Sequence, residues 1–411
     1  MRRTSMAKKS HRILIYSHDT FGLGHLRRCR TIAHSLVEQN KNLSVLILSG
    51  SPIIGSFDFK ARVDFVRIPG VIKLRNGDYT SLNLLINIEE TLQMRESIIK
   101  HTADIFDPDI FIVDKEPLGL RGEVKSTLEM LKARGTWTIL GLRDVMDEPG
   151  ALEPEWERKN VVPALERLYD EIWVYGLPQI CNPLEGIILS EQIKKRMIYT
   201  GYLERTLPQL TMGEPTIHER DPYILVTPGG GGDGEAIVDW VLKAYEADKT
   251  IPYNAVIVMG PFMQMENQQE FIRRSALLPK IEILSFDTKI EHLMKEALGV
   301  ICMGGYNTFC EVISFNKKAL IIPRTAPRLE QYIRATKASG YGLVNYLCDD
   351  GIRDGKKMAT AIRQLPQQSS PLDIVMPGLL DGLKNVNKLT LQKIKKDRKV
   401  ENFPLNIAAI K

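Results

Sequence analysis

Residues 299–331, GVICMGGYNTFCEVISFNKKALIIPRTAPRLEQ, read as strand, glycine turn, helix and second strand in succession. The run GVIC is short, apolar and uncharged, as a buried strand of a parallel sheet is. Gly304 and Gly305 then leave backbone N–H groups open at the start of the next helix, where the helix dipole favours a diphosphate. Asn307 or Thr308 is expected to cap that helix. Glu311 lies about one turn further in, placed to accept hydrogen bonds from both hydroxyls of a ribose. After the strand KALIIP come Glu330 and Gln331, an acid and an amide whose acceptors and donors suit a polyhydroxylated ring. Together these groups suit a nucleoside diphosphate sugar.

The same grammar repeats along the chain. Short β-rich apolar runs (RILIYS, LSVLILS, VDFVRI, DIFIVD, TWTILGL, EIWVYG) alternate with amphipathic segments near 25–39, 81–103, 119–133 and 154–168. After RMIYTGY, residues 207–222 carry Pro208, Gly213, Pro215 and Pro222 with little periodicity and read as a linker. The pattern then restarts with YILVTP, NAVIVMG, KIEILSF, GVICMG, KALIIP and GLVNYL. This predicts two parallel α/β domains of Rossmann type, residues 1–206 and 223–371, and a helical tail over 372–411. The basic run KIKKDRK in that tail reads as a solvated helix end, with an anionic partner or membrane surface as the alternative.

Each domain opens with strand, glycine loop and helix. In the first, RILIYSHDTFGLGHLRRCRTIAHSL, Gly22, Gly24 and His25 fall at the carboxyl edge of the sheet, where open α/β sheets bind ligands. His25 either meets that ligand or is held in a tight turn. Arg27, Arg28 and Arg30 oppose the positive end of the helix dipole at a cost of some tenths of a kcal/mol each, which an anionic ligand or a wet face would offset. In the second domain, Gly229, Gly231 and Gly234 satisfy GxGxxG, but NAVIVMGP ends without the acidic residue a dinucleotide ribose needs. No Gly-Lys-Ser/Thr follows, which excludes a Walker loop. A glycine turn suited to phosphate or to close packing remains, with Gly230 and Gly231 as its candidate contacts and Asp233 as a helix cap.

Composition excludes several classes. The net charge of +5, from 55 basic against 50 acidic residues, is too small to identify a partner, and no aromatic-interleaved basic motif points to nucleic acid. The five cysteines are scattered, with neither CxxC spacing nor a nearby histidine cluster, so neither a disulfide framework nor a zinc site is expected; a reduced cytosolic compartment fits best. The apolar run at the N-terminus is too short for a secretory signal, and no stretch approaches the roughly 18–20 apolar residues of a membrane span. Any membrane contact is therefore expected to be peripheral.

The order GGYNTFCE, KALIIP, EQ resembles the donor-site signature of GT-B glycosyltransferases, in particular the family 28 group that includes MurG. The turn GLGH is similar to the N-terminal loop of that group. The resemblance implies a GT-B fold, two Rossmann-like domains facing across a cleft, with the nucleotide sugar on the C-terminal side and the acceptor on the N-terminal side. It assigns Glu311 to the ribose, and Gly304, Gly305 and Thr308, with Asn307, to the diphosphate. Gln331 and Glu330 would hold sugar hydroxyls, the backbone near Phe286 the uracil, and Gly230 and Gly231 would complete the donor side. His25 would be the general base or its close neighbour. Gly22, Gly24, Arg28, Asp114, Glu116 and Arg143 are the acceptor-side candidates. Asp114 and Glu116, at the end of their strand, touch the acceptor, assist His25 or cap the core edge; Arg143 and its neighbour Asp144 face the acceptor or form a salt bridge.

The implied reaction is inverting transfer of a hexose, HexNAc by family default, from a UDP-sugar to a glycan or lipid-linked acceptor, without metal or other cofactor. The implied setting is cytoplasmic, with contact at the inner membrane face left open. The sequence departs from the group at Met303, where plant-type relatives place a histidine, and in the additional Arg324 and Arg328. The DxD at Asp107 and Asp109 precedes its strand, away from the ligand edge, and reads as a turn. A rival is a nucleotide-sugar hydrolase, because GLGHLRRCRTIA also resembles the amino-terminal segment of the UDP-sugar hydrolase of pseudaminic acid synthesis. A non-catalytic nucleotide-sugar binder is the other, and acceptor dependence separates transferase from hydrolase.

Overall fold

The computed structural model describes residues 10–19, 24–74, 78–208, 221–229, 233–260, 263–285 and 290–401, with side chains to 394. Residues 209–220 of the expected linker lie outside the described residues.

The apolar runs become two parallel sheets. In the first half, β1 (His11–Ser17), β2 (Leu43–Ser49), β3 (Val63–Arg67), β6 (Ile110–Asp114), β7 (Trp137–Arg143), β8 (Glu171–Tyr175) and β9 (Met197–Tyr199) pair in the order β3-β2-β1-β6-β7-β8-β9. A hairpin of β4 (Val71–Lys73) and β5 (Tyr79–Ser81) stands apart from the sheet. In the second half, β10 (Tyr223–Thr227), β11 (Asn254–Val258), β12 (Ile281–Leu284), β13 (Gly299–Cys302), β14 (Ala319–Ile321) and β15 (Asn345–Tyr346) run β12-β11-β10-β13-β14-β15. Each sheet therefore reverses its strand order once, between β1 and β6 and between β10 and β13. A doubly wound sheet opens its ligand crevice at such a point, outside the carboxyl ends of the strands.

Strands buried on both faces explain the unbroken apolar runs. On one face of the first sheet Leu14, Phe111, Val113 and Leu140 pack against Ile99, Leu128 and Trp156. On the other, Ile13, Ile15 and Ile112 meet Ile32 and Leu36 of the helix Gly24–Gln39. That second cluster continues through Tyr202, Tyr306 and Phe309 into Leu225 and Val300 of the other half. With roughly 1.5–3 kcal/mol for each large aliphatic side chain buried, this shared cluster holds the two halves together.

Two local expectations are corrected. The helix expected over 154–168 is two helices, Pro149–Arg158 and Val161–Leu168, with Asn160 between them at φ 51°. A continuous helix would set the Pro163 ring against the carbonyl four residues earlier, so the break comes just before it. The helix expected from residue 81 starts at Ile88, where the Asn87 side chain accepts from the Glu90 N–H at 2.7 Å. The C-terminal helix, Gly382–Glu401, packs back on the first half: Asn387 Nδ2 donates to Ser35 Oγ at 2.7 Å and Lys393 lies 4.3 Å over the Trp137 ring. A Cβ on Gly382 would come 2.4 Å from the Tyr202 carbonyl, so this crossing requires glycine. Among the described residues no helix is long and apolar enough to cross a membrane.

Candidate active site

At the first reversal point, β1 ends at Ser17 and is followed by buried His18 and Asp19. Gly22 lies outside the described residues; Gly24 and His25 begin the helix Gly24–Gln39. Asp19 ties the start of this helix to the sheet, accepting from the Leu26 N–H at 3.2 Å and from Ser49 Oγ at 2.6 Å. Burial raises its carboxyl to about 6.

Asp114, at the end of β6, faces His25 across the crevice. His25 Nδ1 lies 2.5 Å from Asp114 Oδ2, and Arg28 clasps the same carboxylate through Nε at 2.7 Å and Nη2 at 2.6 Å. Burial alone would raise Asp114, but Arg28 and His25 outweigh it and hold the carboxyl well below its usual range. An ionised carboxylate only accepts hydrogen bonds, so His25 Nδ1 carries the proton and Nε2 keeps its lone pair. Burial also lowers His25 to about 4, more than Asp114 raises it. The ring is neutral at pH 7, and its side chain is 18% exposed.

Other groups gather on the same edge. The His18 ring stands edge-on to His25 at 5.6 Å, with Nδ1 3.4 Å from Tyr16 Oη. Tyr16 in turn donates to Glu123 at 2.5 Å, and Arg95 holds Glu123 by two bonds of 2.6 Å. Lys115 is brought down to about 8 by burial. Glu116 accepts from Lys159 at 3.0 Å. At the end of β7, burial lowers Arg143 to about 10, and its Nε is buried without a hydrogen-bond partner among the described residues. Asp144 is spanned by Arg334 of the second half through two bonds of 2.7 Å, with both side chains 0% exposed.

The second reversal point carries the turn Met303–Gly304–Gly305 after β13. Gly304 has φ 74°, and a Cβ there would come 2.6 Å from Ile321 Cγ2, so no other residue fits. Gly305 is the N-cap of the helix Tyr306–Ser314 and no side chain caps it, which corrects the expectation that Asn307 or Thr308 would. Asn307 instead bridges the halves, donating to the Gly24 carbonyl at 2.9 Å and accepting from Arg205 at 2.7 Å. Thr308 is half-buried on the same helix. Glu311 is buried, and Nη2 of Arg27 reaches it from the opposite half at 2.6 Å while also donating to Glu291 at 2.8 Å. Burial raises the Glu311 carboxyl above its usual value, and Arg27 opposes the rise.

Glu330 and Gln331 start the helix Glu330–Gly340. Arg324 donates to Glu330 at 2.9 Å and to Asp233 at 2.5 Å, and its backbone N–H donates to Gln331 at 3.1 Å. Arg328 crosses to Asp147 at 3.2 Å and Glu155 at 3.0 Å. Gly230, Gly231 and Phe286 lie outside the described residues. Asp107 and Asp109, the DxD, sit at the amino end of β6 beside Arg12.

His25, Asp114 and Arg28 are thus brought together on one side, and Gly304, Gly305, Asn307 and Glu311 on the other. Arg28, read as a candidate ligand contact, has its Nε–Nη2 edge engaged by Asp114. Glu116 belongs with the Lys115 and Lys159 charges, apart from the Asp114 carboxylate. The partners Glu291 and Arg334 were not singled out from the sequence. A pairing between residues so far apart leaves no periodic signal.

Residues 223–369 match the glycosyltransferase family 28 C-terminal domain. A glycosyltransferase of Methanosarcina acetivorans is 22% identical over 391 residues, covering 91% of this chain and 97% of the relative. The second half thus carries a family 28 glycosyltransferase C-terminal domain, and the chain as a whole resembles that family. Its fold is GT-B: MurG of Acinetobacter baumannii superposes with TM-score 0.57 at 13% identity, over 94% of this chain and 99% of the other. UDP-GlcNAc 2-epimerase from Neisseria meningitidis, bound to UDP-GlcNAc, superposes with the same TM-score of 0.57 at 12% identity, over 94% and 100%. The same fold thus extends to proteins of other activity, and the residues of the cleft must carry the assignment of the reaction.

Proposed function

We propose that the protein transfers a hexose, HexNAc by preference, from a UDP-sugar to a glycan or lipid-linked acceptor, with inversion and without a metal. The observation that carries this reading is the His25–Asp114 contact of 2.5 Å, set across the cleft from the uncapped helix Tyr306–Ser314. His25 Nε2 takes the acceptor hydroxyl proton as that oxygen attacks the anomeric carbon. The bond from that carbon to the diphosphate breaks on the opposite face, which inverts the centre. The open N–H groups at Gly305 and the positive helix end receive the charge on the leaving UDP. Glu311 holds the ribose, and Glu330 with Gln331 holds the sugar. A site in the cytoplasm, with peripheral contact at the membrane face for a lipid-linked acceptor, belongs to the same proposal.

Calorimetry against UDP, TDP and GDP without added metal tests it. Selective UDP binding is expected, weakened about ten- to a hundredfold in Glu311→Ala, the scale of a lost hydrogen bond to a charged group. Absence of any nucleotide binding removes the reading. Donor breakdown at an equal rate with and without glycan acceptors turns it into the hydrolase.

A further inference from the structure

Glu311, the carboxylate read as the ribose holder, already has an occupant. Arg27 sits two residues beyond His25, and its single Nη2 atom donates to Glu311 at 2.6 Å and to Glu291 at 2.8 Å. The three side chains are unequally buried: Glu311 is 3% exposed, Glu291 16% and Arg27 28%. The Oε2 atom of Glu291 is buried and has no hydrogen-bond partner among the described residues. Glu291 stands at the start of the helix Ile290–Glu296, and Glu311 lies on the helix Tyr306–Ser314. One guanidinium thus shares one donor atom between two carboxylates of the opposite half, and the more exposed carboxylate keeps an oxygen in reserve.

We propose that Arg27 is a resident competitor for the donor pocket, displaced from Glu311 by the ribose hydroxyls of the nucleotide and received by Glu291 through its unused oxygen. The inference rests on the ribose reading of Glu311. A carboxylate has a limited set of lone pairs in the plane of its two oxygens, and a ribose diol needs those that face the cleft. Arg27 holds one of them at charge-assisted strength. Donor binding therefore begins with an exchange, and the observed affinity is the intrinsic affinity reduced by the fraction of molecules in which Glu311 is free. Glu291 makes the exchange inexpensive, because the guanidinium moves to a bidentate pair with a neighbouring carboxylate and never becomes a lone charge in the cleft. The same step keeps the helix that carries His25 tied to the donor half after the nucleotide has entered. Specificity follows as well, since a ligand without a hydroxyl pair has little to offer Glu311 in exchange for a guanidinium.

The two partners of Arg27 then act on binding with opposite signs. In Arg27→Gln, UDP binds more tightly than to wild type, by about tenfold if the exchanged bond has the usual worth of a charged hydrogen bond. In Glu291→Gln, Arg27 loses its second seat and leans on Glu311, so UDP binds severalfold more weakly. Arg27→Lys retains the charge without the fork and falls between wild type and Arg27→Gln. Calorimetric titration of the full chain with UDP, with thermal melting of each variant to establish folding, reads all three. Weakened binding in both Arg27→Gln and Arg27→Lys overturns the inference, because Arg27 then contacts the nucleotide itself; equal binding in every variant overturns it too. Glu311→Ala separates the layers. If it abolishes UDP binding while Arg27→Gln does not tighten it, the ribose reading stands and the exchange falls. If it leaves UDP binding intact, both fall.

Discussion

Two arginines cross the same cleft in opposite directions, and they are built differently. Arg334, from the second half, meets Asp144 by two bonds of 2.7 Å and also donates to the Gly304 carbonyl at 3.0 Å. Asp144 is completed by Tyr202 Oη at 2.9 Å and the Val145 N–H at 2.8 Å, and the pair is closed to water. Arg27, from the first half, uses one nitrogen for two carboxylates, is partly exposed, and leaves an oxygen of Glu291 unpaired. A saturated pair with no exposure has no vacant partner to exchange with, whereas a shared donor beside an unused acceptor does. The first is a fixed joint between the halves and the second is the joint a ligand can open.

Breaking the fixed joint has the largest expected effect. Asp144→Ala leaves a buried guanidinium unpaired at the centre of the molecule, and removal of one partner of such a pair costs about 3–5 kcal/mol. Urea unfolding measures it. A loss below about 1 kcal/mol would mean that water reaches Arg334, and the distinction between the two joints would fail. Replacing both partners by apolar residues is expected to recover most of the loss, since the desolvation of both charges then disappears.

Next comes His25→Ala, which separates the chemistry from both joints. The helix Gly24–Gln39 carries the base and Arg27 two residues apart, so a disturbance of one is readily mistaken for the other. Turnover is expected to fall about 10²–10⁴-fold, the usual share of a general base, while UDP affinity stays at the wild-type value. A parallel loss of affinity would show that the substitution reached Arg27 and with it the exchangeable joint. Asp114→Asn sharpens the same point. The amide can present its NH2 to His25 Nδ1, which shifts the ring proton to Nε2 and silences the base, and thermal melting reads what the weakened Arg28 pair costs the fold.

The contrast between the joints also marks what the sequence discloses. The strands and the ligand edge of the first sheet were legible, because central parallel strands read as apolar runs and His25 stands just beyond the first of them, as Gly304, Gly305 and Glu311 stand beyond theirs; the strand order that puts both sets at reversal points was not. Asp114 was legible as the end of its strand, but assistance to His25 was only one of several options there, and its pairing with Arg28 was not among them. The cross-cleft partners were hidden for a physical reason: Arg27 and Glu311 are 284 positions apart and Arg334 and Asp144 are 190 apart, and neither pair lies on a shared helix face or strand register. Arginines on the first turn of a helix looked costly against the dipole, and that cost was the available clue that anions from elsewhere would meet them. Asn307 misled for a related reason. A residue that caps helices locally is here consumed by the backbone of the other half.

The smallest expected effect concerns acid, and its sign follows from His25. Burial holds the folded ring at about 4 against an ordinary value of 6.5. Above pH 6.5 the ring is neutral folded or unfolded, and the contribution is fully present; as pH falls from 6.5 towards 4 the unfolded chain takes a proton the fold refuses, and stability is lost. One such group steepens the dependence by at most about 1.4 kcal/mol per pH unit. Buried His18 acts in the same sense, because its value is also lowered. Asp19 acts in the opposite sense: its folded value is raised from 3.8 to about 6, so it contributes at low pH and loses that contribution as pH rises through this range. The wild-type slope is therefore a sum of opposed terms, and only the difference from His25→Gln isolates the ring. Urea unfolding across this interval is expected to give a flatter acid loss in the variant. Equal slopes would place His25 in open water, where neither Asp114 nor burial sets its proton, and the catalytic edge would then be no more protected than the exchangeable joint at Arg27.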